Sequence, residues 1–425
     1  MNRQPYQTPP CWWSPRLSSF WVRAWRPLRQ RRAAWQHGLV DVQVRGLEHL
    51  IEASAGPQSV LITPNHPTHA DPFALLAAAD RFGQPFYFMT AWQVFAMTHR
   101  VGRRVLRQHG CFSINREGHD LPALRQAIRI LEQGTQPLVI FPEGEVFHLN
   151  DRATPFRKGA ATAAMLAARR SGRPVACVPC AIKFQYVDDP TPALLPLMDR
   201  LERALSWKPL SDMPLVTRVR RFSEGFLSLK ETEYFGSPRA GCLARRLMAL
   251  VGLILGRMED RFQIASPRAS VPERVKQLRQ VLIANLERHP ANHSQRPRWE
   301  QDLDDLFFAM QLFSYPADYL AGHPSIERLA ETLDKFEEDV LGAPTASLRG
   351  ARRAIVQFGE PVAAQPGKRR PGAVDDLTHA LHAGVQQMLD QIGPSVATEP
   401  LVPAGPLEPI APEAIAPLPL PASAA

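Results

Sequence analysis

The sequence predicts an α/β protein: a mostly parallel sheet flanked by helices, carrying a large helical insertion. Three observations predict it. Short apolar runs alternate with helical periodicity across residues 37–189, and only the helical period persists across 190–349. Strand character then returns at Ala354-Ile-Val-Gln-Phe-Gly-Glu-Pro, followed by a last helix over 374–392. Strands separated by helices are the pattern of parallel crossover units.

The elements follow in order. Before the first acidic residue, Asp41, the chain carries Arg3, Arg16, Arg23, Arg26, Arg29, Arg31 and Arg32 together with Trp12, Trp13, Trp21, Trp25 and Trp35. Residues 1–36 lack the continuous apolar stretch of a secretory signal. They are too polar to span a bilayer, which takes about 20 apolar residues. Leu17, Phe20, Trp21, Trp25 and Leu28 keep helical spacing, and Pro27 starts a second segment. Tryptophan and arginine together suit the headgroup layer of a membrane, so this segment is expected to be interfacial; a helix packed on the protein body is the plainer alternative.

The core, residues 37–189, opens with a strand at Val40–Val44, a turn at Gly46, a helix, and a strand at 59–63. A helix is expected from Pro72, with Asp71 as its N-cap. Then come a strand at 86–89, a helix over 91–108, a strand at 111–114, a helix over 120–133 and a strand at 137–141. Helix 158–171 and strand 174–184 complete the alternation. The insertion, 190–349, is expected to hold helices at 193–207, 239–258, 271–289, 299–314 and 324–341. Its most apolar run, Leu247–Leu255, is too short to span a membrane and reads as a core helix. Residues 350–392 return to the core, and the Pro/Ala-rich stretch 393–425 is expected to be a disordered tail.

Composition narrows the function. With 425 residues there is room for a sizeable core. A net charge of +9 favours an anionic partner, although no nucleic-acid module is recognisable. The cysteines Cys11, Cys111, Cys177, Cys180 and Cys242 are an odd, sparse set that argues against a disulfide framework and for a cytoplasmic, reducing setting. Cys177-Val-Pro-Cys180 lies in an apolar run and reads as buried thiols rather than a redox pair.

Three reactive clusters follow the ends of expected strands, where open α/β sheets place their sites. They are Asn65-His66-Pro-Thr-His69-Ala-Asp71, Gly110-Cys-Phe-Ser-Ile-Asn-Arg116, and Phe141-Pro-Glu143-Gly144-Glu145 with Phe156-Arg157-Lys158-Gly159 beyond it. A fourth, Val178-Pro-Cys-Ala-Ile182, is apolar. In that order they resemble the glycerolipid acyltransferase family, which includes bacterial lysophosphatidate acyltransferases and shows NHxxxxD, GxxFxxR, FPEG and VPxxI. The resemblance covers roughly residues 40–188 and the closing Phe358-Gly-Glu-Pro361. It implies transfer of a fatty acyl group from acyl-CoA or acyl-carrier protein, as co-substrate and with no further cofactor, to a hydroxyl of a lysophospholipid-like or glycerol-phosphate-like acceptor. It also implies that Arg116 grips an acidic headgroup and that Glu143 and Gly144 line the acceptor site. Membrane lipids are the expected partners, at a peripheral position on the membrane surface.

The residues suit that chemistry on their own terms. An alcohol needs a base to become a nucleophile, and a histidine serves near neutral pH. A carboxylate on the second ring nitrogen fixes the tautomer, so His66 with Asp71 form a candidate dyad. Residues five apart on one helix lie about 140° round its axis, so the pair meets only if His66 sits in the turn before the helix. A guanidinium makes paired hydrogen bonds to phosphate, which gives Arg116 its reason. Lys158 at a helix start would add positive charge where anions are favoured. One departure matters: lysophosphatidate-directed relatives continue FPEG with Thr-Arg-Ser or similar, and this chain has Glu145-Val146-Phe147. That suggests an acceptor less anionic than lysophosphatidate, or one carrying an amine. Two other readings are an inactive membrane-binding protein on this fold and a metal-dependent hydrolase. The latter would recruit His66, His69 and Asp71 with His109, His119 or His148, but the spacing does not fit and no metal is expected.

Overall fold

The computed structural model describes residues 10–118, 120–264, 269–289, 294–367 and 370–393; the expected tail beyond Gly393 lies outside these, as does His119. The chain begins with α1 (Ser19–Ala24), α2 (Arg26–His37), β1 (Leu39–Arg45), α3 (Leu47–Ala55), β2 (Ser59–Pro64) and α4 (Asp71–Phe82). It continues through β3 (Tyr87–Ala91), α5 (Trp92–Met97), α6 (Arg100–Gln108), β4 (Cys111–Ile114), α7 (Leu121–Gln133), β5 (Leu138–Val139), α8 (Gly159–Ser171) and β6 (Val175–Tyr186). The helices α9 (Thr191–Ala204), α10 (Leu215–Phe235), α11 (Leu243–Phe262), α12 (Val271–Arg288), α13 (Arg296–Phe313) and α14 (Ile326–Asp339) follow. Then β7 (Arg352–Phe358), β8 (Val362–Ala364) and α15 (Ala373–Ile392) return to the core.

The eight strands form one sheet in the order β1-β7-β6-β2-β5-β3-β4, with β8 also on β6. Every pairing is parallel except those of β6 with β7 and β8. Helices cover both faces, so central strands are apolar throughout: all six residues of β2 are buried. Cys177 and Cys180 are buried in β6 as free thiols, and burial pushes Cys177 up to about 12.

The insertion has its own two cores. One gathers α11, α12 and α13 around Leu250, Leu278 and Leu306; the other packs α9, α10 and α14 around Leu197, Phe222 and Leu333. The apolar run Leu247–Leu255 lies within α11, with Leu247, Leu250, Val251, Ile254 and Leu255 buried. Helix α10 has no counterpart among the sequence expectations. A buried arginine explains why: Arg218, 1% exposed, sits in its core face and pairs with Asp199 and Glu202 at 2.6 Å each. A charge at a core position breaks the apolar period that reveals a helix.

Two further differences are local. The single helix expected over 91–108 is broken at Thr98 and His99, which are extended, and Arg103 Nε donates to the Phe95 and Thr98 carbonyls freed there, at 2.8 and 2.7 Å. The N-terminal segment is packed on the body while keeping exposed aromatics. Trp13 stacks on Phe95, and Arg29, buried, donates twice to Asp80 at 2.8 and 2.7 Å. Phe20, Trp21, Leu28 and Trp35 nonetheless remain exposed. No helix of the described residues is long and apolar enough to cross a membrane.

Candidate active site

A cavity of about 1660 Å³ lies where the C-terminal ends of β2, β4 and β5 meet the insertion and α2. At its wall, the turn after β2 is held from its first residue. Asn65, fully buried, donates to Ile182 O at 3.0 Å and accepts from Ile182 N–H at 2.7 Å, standing in for one more rung of the ladder. That leaves His66 in the turn, outside the helix, which is what the dyad needs.

His66 Nδ1 and Asp71 Oδ2 are 2.6 Å apart. Asp71 is the first residue of α4, with Ala70 as the cap, so the expected N-cap role does not apply. Its carboxylate turns back to the histidine and accepts the Thr68 N–H at 3.2 and 3.1 Å. Burial raises the Asp71 pKa, opposed first by that N–H. The His66 ring stacks on Phe141, with centroids 4.1 Å apart. Burial, then the charges of Arg116 and His148, lowers its pKa, so the ring is neutral at neutral pH. A neutral ring whose Nδ1 proton is held by Asp71 presents Nε2 as the proton acceptor.

The other expected residues are placed less evenly. Arg116 lines the cavity, and its Nη1 donates to Gly144 O at 2.6 Å. Gly144 has φ of +81°, a backbone conformation that favours glycine. Its N–H donates to Phe141 O, closing the turn rather than facing substrate. Glu143 is buried and is not part of the cavity lining. It accepts the His66 N–H at 3.1 Å and the Thr154 hydroxyl at 2.6 Å, which makes it a positioning residue beneath the dyad. Burial raises its pKa to about 8. Lys158 precedes α8 on the cavity's rim and is exposed, 2.5 Å from Asp375.

Arg157 and Glu145 were not among the expected site residues, although they flank ones that were. Arg157 lines the cavity 3.8 Å from Glu145. Burial works to raise the Glu145 pKa, but Arg116, Arg157 and Arg279 together hold it below the ordinary value. Arg279, on α12, also pairs with Glu117 at 2.9 Å, tying the insertion to the loop after β4. Phe147 enters the core of α11–α13, 6.1 Å from Phe313. Glu145-Val146-Phe147 therefore belongs to the seam between core and insertion. Only partners distant in sequence reveal that.

A buried histidine in contact with a carboxylate, at the C-terminal end of a parallel sheet beside an arginine-lined cavity, is an arrangement able to activate a hydroxyl for group transfer. Residues 41–183 match the family model described as Acyltransferase. That match covers the stretch that holds the four sequence blocks and agrees with the acyltransferase part of the resemblance drawn from them. No curated protein matches the chain. Among solved structures, the chain is similar to the 1-acyl-sn-glycerophosphate (LPA) acyltransferase PlsC from Thermotoga maritima. The two are 11% identical over 89% of this chain and 81% of that one, with a TM-score of 0.38. So loose a likeness leaves the site to be read from its own residues.

Proposed function

We propose that this protein transfers an acyl group from an acyl-CoA or acyl-carrier-protein thioester to a hydroxyl of a glycerolipid-type acceptor, lysophospholipid-like or glycerol-phosphate-like. The observation that carries the reading is the 2.6 Å contact of His66 with Asp71 at the wall of the large cavity. In this mechanism the acceptor hydroxyl gives its proton to His66 Nε2 as its oxygen bonds to the thioester carbonyl carbon. Asp71 stabilises the imidazolium that results. The tetrahedral intermediate then expels the thiolate, which takes the proton back from His66. Holding thioester and hydroxyl together contributes alongside basicity.

Arg116 and Arg157 offer guanidinium groups to an acceptor phosphate, as does Lys276 its ammonium from the cavity's far wall. Glu145 offsets part of that charge, which favours an acceptor less anionic than lysophosphatidate or one bearing an amine. Leu28, Trp35, Met97 and Val101 are exposed and also line the cavity, so its mouth is apolar and flanked by arginines. Such a rim suits peripheral contact with a membrane that supplies the acceptor. The test is thiol release from acyl-CoA with a panel of lysolipids, with lipid products identified by mass spectrometry. Turnover should appear with one acceptor class and vanish in His66→Ala. Equal rates in wild type and variant with every acceptor would overturn the reading and favour a non-catalytic membrane-binding protein.

A further inference from the structure

The dyad leaves a second constellation on the same cavity wall unused. His69 comes from the turn after β2, His148 from the loop after the FPEG segment, and Glu338 from the last turn of α14. One ring nitrogen of each histidine and one carboxylate oxygen of Glu338 all lie within 4.8 Å of one another. We propose that these three residues bind a divalent transition-metal ion of the zinc type.

Four observations support a built site. His69 Nε2 is a buried atom with no hydrogen-bond partner, which is costly for a polar group unless something else meets it, and His148 Nε2 has only the Glu338 carboxylate near it, at 3.4 Å. His148 is 8% exposed and Glu338 1% exposed in their side chains, and their nearest atoms are 3.4 Å apart. Two donors of a tetrahedral zinc with bonds of about 2.0–2.1 Å are separated by about 3.3–3.4 Å, so that edge already has the required length. The Glu338 carboxylate is also oriented: its Oε1 accepts the Ala346 N–H at 3.1 Å, the kind of outer contact that fixes a metal ligand.

The fourth is the backbone of His148, whose φ of 49° is uncommon for a residue with a side chain. Its neighbours keep it there. Phe147 and Leu149 are buried in the insertion core, and Asn150 bridges the Phe184 N–H and carbonyl at 2.6 Å each. Strain of this kind persists where surroundings over-determine it, and here it aims His148 at Glu338. Two imidazoles and one carboxylate match the donor set of open zinc sites, with one position left on the cavity side for water or an anionic oxygen of a bound molecule. The ion would fasten α14 of the insertion to the turn that carries His66.

The experiment is independent of acyl transfer. Tag-free full-length protein is stripped with chelator and titrated with Zn²⁺ by calorimetry, with metal content checked by mass spectrometry. Wild type should bind one zinc per chain, and its unfolding temperature should rise with Zn²⁺. His69→Ala, His148→Ala and the near-isosteric Glu338→Gln should each weaken binding by about tenfold or more and lose the thermal shift. Far-UV circular dichroism confirms that each variant is folded, and Glu338→Gln serves if a histidine variant is not. Absence of stoichiometric zinc in the wild type, or zinc binding that survives all three substitutions, would overturn the proposal.

Discussion

Two loops leave the same edge of the sheet and reach the same cavity, yet they are built on opposite principles. The turn 65–71 sets its His–Asp pair from within, by the His66–Asp71 contact and the Thr68 N–H bonds, while Asn65 to Ile182 and the His66 N–H to Glu143 hold it to the sheet. The loop 143–151 takes its order from residues far along the chain. Phe147 meets Phe313, His148 meets Glu338, and Asp151 meets Lys183 and Arg328 at 2.6 Å each. The first loop sets its His–Asp pair by local bonds. The second joins the sheet core to the helical insertion.

Substitutions separate the two most sharply at Asp71. In Asp71→Asn the amide can still accept the Thr68 N–H, but its NH₂ meets Nδ1 and turns the imidazole into the wrong tautomer. Turnover should fall by about 10²–10⁴-fold with folding preserved, as read by steady-state thiol release and circular dichroism. Retention of the full rate would remove the dyad from the mechanism. Phe147→Ala tests the other loop. Emptying that buried site should cost about 3–5 kcal/mol of stability in denaturant titration. A cost under about 1 kcal/mol would show that the loop does not anchor the insertion.

The contrast also explains what the sequence could and could not reveal. His66, Asp71 and the succession of strands and helices over 59–184 are legible because short-range patterns encode them: an apolar run, a turn with prolines, then a helix. Arg116 could be named from its block. Glu143 was recognised but expected to touch acceptor, whereas it lies buried beneath the His66 backbone. The sequence points to Lys158 rather than Arg157, because nothing local says which of two adjacent cations lines the cavity more deeply. Helix α10 was hidden by the buried Arg218, a charge that makes sense only once Asp199 and Glu202 come beside it. Long-range pairing was the information missing in each case.

Glu143 links the two loops, and its titration gives a test through pH. Burial raises its pKa from 4.5 to about 8. Between those values the folded chain keeps a proton that the unfolded chain has released. The folded state therefore binds more protons, and stability falls as pH rises through this window. Glu143→Gln preserves an acceptor for the His66 N–H and removes the titration. Relative to the variant, wild type should lose up to about 5 kcal/mol between about pH 4.5 and 8, measured by denaturant unfolding at several pH values. Parallel stability curves would mean that Glu143 is already ionised in the fold.

The smallest effect concerns one exposed aromatic of the N-terminal segment, Phe20. Deleting residues 1–36 would not isolate membrane contact. The packing of Trp13 on Phe95 and of Arg29 on Asp80 makes such a deletion a test of folding instead. Phe20 is the better choice: it is 70% exposed and takes no part in the cavity lining. Partial insertion of one aromatic ring into the acyl boundary is worth on the order of 1 kcal/mol. Phe20→Ala should therefore weaken binding to anionic vesicles by up to about tenfold in a sedimentation assay, with turnover of a soluble short-chain acceptor unchanged. Unaltered vesicle affinity would place the membrane-facing surface elsewhere, and the exposed cavity-rim residues Met97 and Val101 would be the next to test.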